Sequence, residues 1–151
     1  LFNQILECQP DSYESRLMDL AKKEGKEVFG LETIEAQFSI FDSIPYEKQA
    51  KMILSIIKDL PKAKAEFEEL VQVYKQADVD KLYTISKNSS FDIQFESDLM
   101  LDQRNRNWIT PIKKQMISQP TFFAFGAAHL GGTQGIIELL RKEGYKVRAI
   151  R

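Results

Sequence analysis

Cysteine and histidine are nearly absent from this 151-residue chain, with one of each, Cys8 and His129. A single cysteine excludes an internal disulfide and a cysteine-based zinc site. A single imidazole cannot make a catalytic metal centre by itself, because about three protein ligands are typical. An excess of charge is lacking too. The formal net charge is -1, so no basic field exists to hold nucleic acid, and none is expected as a partner. No apolar run approaches the roughly 18 residues of a membrane span, and no signal peptide is visible. Internal repeats, low-complexity tracts and long linkers are also missing. What is present is a 43% apolar fraction, ample for a core that buries about two-thirds of the unfolded surface. The chain reads as a single domain, 1–151. Because it starts at Leu1 in FNQILECQP, it also reads as a piece of a longer protein, with any targeting segment lost. Cys8 is expected to be a small packed apolar residue.

The apolar spacing predicts a helix over 12–23, capped by Asp11 or Ser12 and stopped by Gly25. The short apolar run 26–31 (KEVFGL) predicts a strand. Helical periodicity returns over 34–41, where Thr33 can cap. It continues over 46–60, which Pro61 ends, and then over 62–76. Asp78 can cap 79–86, and 91–119 reads as mainly helical, with Phe95, Trp108, Ile109 and Ile112 as core candidates. The end of the chain predicts strand 121–125, helix 133–143 and strand 146–150, a right-handed parallel βαβ unit. The expected fold class is therefore α/β: a parallel or mixed sheet with a carboxyl-terminal βαβ unit and a largely helical insertion between sheet strands.

In such a sheet, ligands sit at the carboxyl ends of the strands, and three features could carry chemistry there. His129 follows an apolar run and Gly126, in a turn rather than on a helix face. A neutral imidazole there could bind a metal ion or act as a base. A lone histidine is nonetheless more often structural. Gly126 would permit close backbone approach or an unusual dihedral. Glu32 ends the first strand, KEVFGLE, so parallel strands would bring it to the same edge as His129. The alternative is an exposed position beside a helix cap, with Thr33 capping and Glu35 interacting with the helix amino end. Arg104, in RNRNW, could hold a carboxylate bidentately, or it could simply belong to a solvated basic helix end. The glycines of GGTQG (131–135) suggest an anion-binding helix start, although a tight turn explains them equally well.

Three blocks in this order, GLETIEAQFSIFDSIPYEKQAKMIL, DQRNRNWITPI and FFAFGAAHLGGTQGIIELLRKEGYKV, resemble the TraB/GumN family, which is related to the Tiki metal-dependent proteases. The resemblance implies a site built from two GxxH motifs, a glutamate and an arginine. Gly126 and His129 match the second GxxH. Glu32 matches the glutamate, Arg104 matches the arginine of the family's E-R-N block, and Glu35 fits E-x-Q with Gln37. Gln103 stands where the family has glutamate, and no second GxxH occurs. The chain therefore resembles a carboxyl-terminal half, lacking its amino-terminal half and part of the metal shell. The implied activity is metal-dependent peptide hydrolysis by the intact protein, with the fragment alone inactive. Glu32, Arg104 and His129 would be catalytic. His129 and Glu32 would hold a divalent metal (Mn²⁺, Co²⁺ or Zn²⁺), with Glu35 and Gly126 in support. The implied substrate is a peptide or protein, and the implied location is the cell envelope. Two other readings stand beside this one. The first is a non-catalytic module that binds a peptide or a haem-like ligand. The second is a homodimer formed through an open sheet edge.

Overall fold

The computed structural model describes residues 11–89 and 98–150. The expectations for Cys8, Phe91 and Phe95 lie outside them. The chain divides into two compact units, Leu1–Leu31 and Glu32–Arg151.

The described part of the first unit holds one helix, α1 (Tyr13–Lys23). The side chain of Ser12 caps it by accepting from the Ser15 amide, and Lys22 and Lys23 lie in the last turn, where they complement the helix dipole. Gly25, at φ 61°, lets the chain leave the helix.

The second unit is helical throughout its regular elements. In α2 (Ile34–Asp42), Thr33 is the cap and accepts from Ala36 N. Pro45 precedes α3 (Tyr46–Lys58). The Asp59 side chain then caps α4 (Leu60–Lys75), with Pro61 in the first turn. The proline expected to end one helix thus opens the next, where its missing N–H is no loss. Asp78 caps α5 (Val79–Lys87). A π-helical turn, Asp98–Asp102, runs directly into α6 (Gln103–Ser118). A short 3₁₀ turn, Ala127–His129, and α7 (Ile136–Lys142) complete the unit. Its core lies around Trp108, Ile109, Ile112, Val73, Leu82 and Ile136, all buried. Gly144, at φ 89°, ends α7, where Tyr145 N donates back to Leu140 O.

The α/β expectation is overturned: among the described residues there is no strand and no sheet. Segments 26–31, 121–125 and 146–150 are not helical, but none forms a ladder with another strand. Segment 121–125 shows why the pattern misled. Phe123 and Phe125 stack on each other at 6.2 Å, and Phe125 stacks on Trp108 at 5.8 Å, while Phe122 is 79% exposed. The apolar run is thus used, through Phe125, for side-chain packing on a helix. A short apolar run signals burial of one face, but a strand also needs a second backbone to accept its hydrogen bonds. The βαβ unit reduces to α7 with irregular flanks, and the open sheet edge that suggested self-pairing is absent among the described residues. No described helix is long and apolar enough to cross a membrane.

Candidate functional site

The first turns of α6 organise the site. Arg104 and Trp108 are four residues apart and so lie on one face of the helix. Both reach Glu32, just ahead of α2. Arg104 Nη2 donates to Glu32 Oε1 at 2.6 Å, and Nε donates to both carboxylate oxygens at 3.1 and 3.2 Å. Trp108 Nε1 donates to Oε2 at 3.1 Å. The guanidinium also lies 4.9 Å from the Trp108 ring and returns Nη1 to Met100 O at 3.1 Å. That carbonyl belongs to the π-helical turn, whose widened geometry recurs at functional sites.

Asn105 lies on the buried side of the same turn and is fully enclosed. Its Nδ2 donates to the carbonyls of His129 (3.3 Å) and Gln134 (2.9 Å). Carbonyls only accept, so this orientation points Oδ1 at His129 Nδ1, 2.7 Å away. Oδ1 accepts in turn, so Nδ1 carries the proton and a neutral ring leaves the lone pair on Nε2. Burial holds the imidazole neutral. It depresses the His129 pKa to about 4, with help from the Arg104 charge and opposition from the Glu32 and Asp102 carboxylates. The ring packs against Trp108 at 4.7 Å.

Trp108 thus touches Glu32, Arg104 and His129 together. The convergence is delivered by one helix and two flanking loops, without a sheet edge. Glu35 stays outside the cluster. It is exposed in the first turn of α2, where backbone and Thr33 hydrogen bonds hold its carboxyl below the usual range. Gly126 has an ordinary φ of -57°, and a Cβ there would meet His129 Cδ2 at a comfortable 3.6 Å. The close approach belongs to Gly131 instead, where a Cβ would overlap the Val79 carbonyl, and to Gly132, at φ 76° beneath the Tyr83 ring. Of the two readings of GGTQG, the structure shows the tight turn: Gly135 N is bonded to Gly132 O, and α7 begins only at Ile136.

Sequence reasoning missed Asn105 and Trp108 as members of the cluster. The signal was their i+1 and i+4 spacing from Arg104. A cleft of about 270 Å³ opens at the α4–α5 corner, lined by Tyr74, Ala77, Asp78, Val79, Leu82 and Ala127, but none of the cluster side chains faces it.

For a divalent metal the donors fit unequally. His129 fits as one ligand, because its Nε2 lone pair is free of Asn105 and its Nδ1–H is held by an amide oxygen, much as metal-bound imidazoles are held by an acceptor on their other nitrogen. The Glu32 oxygens are already taken by Arg104 and Trp108. No group of three His, Cys, Asp or Glu side chains is assembled among the described residues.

The geometry describes a helical unit with a half-buried arginine–glutamate pair beside an oriented imidazole. The chain matches the TraB/PrgY/gumN family over residues 1–149 and belongs to it. Comparisons with curated proteins and with solved structures returned no match.

Proposed function

We propose that this chain contributes part of the active site of a metal-dependent peptidase of the Tiki-related type. An amino-terminal segment bearing the other GxxH motif would supply the remainder. The observation that supports this best is the oriented, neutral imidazole of His129. Its Nδ1–H is fixed on Asn105, and its Nε2 lone pair is available at neutral pH. In this reading Nε2 would hold Mn²⁺, Co²⁺ or Zn²⁺ together with ligands from outside the cluster. When bound, the metal would supply Lewis acidity toward a peptide carbonyl.

The chain's own residues have distinct tasks in this proposal. Glu32 holds Arg104 in place. A guanidinium has five N–H groups, and those not spent on Glu32 and Met100 are left for a substrate carboxylate or a developing oxyanion. Trp108 excludes water from one side of His129 and fixes Glu32. Asn105 sets the His129 tautomer.

The test uses a polypeptide containing both halves, assayed for bound metal and for peptide hydrolysis with added Mn²⁺ or Co²⁺. His129→Ala is expected to abolish metal retention and activity, and Asn105→Ala to reduce both by ~10–100-fold. Full activity in His129→Ala and Arg104→Ala together would overturn the proposal. A second reading, a peptide-binding module without hydrolysis, is favoured by one observation: the Glu32 carboxylate is saturated by its own neighbours. It predicts saturable peptide binding that is lost in Arg104→Ala and indifferent to chelators.

A further inference from the structure

Two segments distant in sequence carry the cluster. The π-helical turn and the start of α6 bring Arg104 and Asn105, and the glycine-rich loop brings His129. Their register must hold to within a few tenths of an ångström for the 2.7 Å Asn105–His129 bond to survive. Helix α5 contacts both segments. On the loop side, Asp80 Oδ1 accepts from Gly132 N at 2.7 Å, Gly131 lies against the Val79 backbone, and the Tyr83 ring covers Gly132 so closely that no Cβ fits. On the other side, Tyr83 Oη donates to Asp102 Oδ1 at 2.8 Å. Lys87 Nζ donates to Asp102 Oδ2 at 2.6 Å and to Tyr83 Oη at 3.2 Å.

Asp102 is 2% exposed. A buried carboxylate is held only while its partners are in place, so the Tyr83–Lys87 pair determines where Asp102 sits. Asp102 immediately precedes Gln103, Arg104 and Asn105 in continuous helical backbone. Any rotation or shift of Asp102 is therefore passed to both site residues. Gly132 stands three residues after His129, in a loop turn closed by Gly135 N to Gly132 O. One tyrosine therefore meets both halves: its ring meets the loop and its hydroxyl meets the helix start.

We infer that Tyr83 is a positioning residue, which sets the register between the His129 loop and the Arg104–Asn105 turn through its ring on Gly132 and its hydroxyl on Asp102. The inference rests on the proposed role of His129 only for what the tautomer is used for. The juxtaposition itself stands independently of hydrolysis.

The test reads the imidazole directly. His129 is the one histidine of this sequence, so ¹⁵N-histidine labelling gives a single pair of ring signals. The wild-type protein is expected to show the Nδ1–H tautomer alone. Tyr83→Phe keeps the ring and removes only the hydroxyl, and Asp102→Asn keeps the shape and removes the charge. Both are expected to raise the Nε2–H tautomer at least tenfold while thermal unfolding stays cooperative. Lys81→Ala, exposed on the same helix, is expected to leave the spectrum unchanged. A wild-type tautomer signature in both Tyr83→Phe and Asp102→Asn would overturn the inference. If instead the tautomer shifts in these variants while His129→Ala retains full peptidase activity, the positioning role stands and the hydrolytic reading falls.

Discussion

His129 is the residue whose chemistry depends most on its surroundings. Its folded pKa of about 4 lies below the ordinary histidine value. Between pH 6.5 and 4 the unfolded chain therefore binds a proton that the folded chain refuses. Stability rises with pH across that window, is fully present above it, and is lost as pH falls through it. The loss is about 3 kcal/mol, since a tenfold difference in proton affinity between the two states corresponds to roughly 1.36 kcal/mol. Urea unfolding at pH 7 and at pH 4.5 is expected to show most of this drop, about 2 kcal/mol, and His129→Gln is expected to flatten that part of the profile. The Glu32–Arg104 pair sits mostly out of water, with side chains 21% and 15% exposed. Glu32→Ala leaves a guanidinium and the Trp108 N–H without their acceptor, and is expected to cost about 2 kcal/mol in denaturant unfolding. All three residues of the expected triad were legible as candidates. Their neighbours Asn105 and Trp108 were less so, because an amide and an indole carry no charge signature and enter the cluster only through what they face.

At the level of elements, the helices were read well and the strands were not. Ser12, Thr33, Asp59 and Asp78 each accept a backbone N–H at a helix start. Capping is decided by residues a few positions apart, so Ser12, Thr33 and Asp78 were legible in the sequence; Asp59 was not, because Pro61 reads as a helix end although it sits in the first turn of the next helix. Strand formation depends on a second segment that local sequence does not specify. The apolar run over 121–125 was real, but it is satisfied by Phe125 on Trp108 and Phe123 on Phe125. The glycines divide in the same way. Gly126, the motif glycine, has room for a methyl group, whereas Gly131 has none against the Val79 carbonyl. Gly131→Ala is therefore expected to lower stability by about 2 kcal/mol or more, and Gly126→Ala by well under about 1 kcal/mol, in parallel thermal melts. Equal effects would show that the loop does not pack on α5 as described.

For the whole molecule, the division at Leu31–Glu32 places the entire cluster in the second unit. The connecting residues 26–30 are exposed and without regular structure. Trypsin is expected to cut early after Lys26 and leave a product in which the Glu32, Arg104 and His129 contacts persist. A sheet strand at 26–31 would resist that cut, so mass spectrometry of a brief digest tests the correction to the fold directly.

The helices, most of their caps and the residue types able to do chemistry were already written in the local sequence, because these follow from periodicities and hydrogen bonds spanning a few positions. Packing between distant segments decided that Arg104 would spend its charge on Glu32 and that Asn105 would orient His129. It also decided that Tyr83 would meet both halves of the site. These are contacts between residues 19 to 72 positions apart, fixed by burial of groups that must find partners once water is gone.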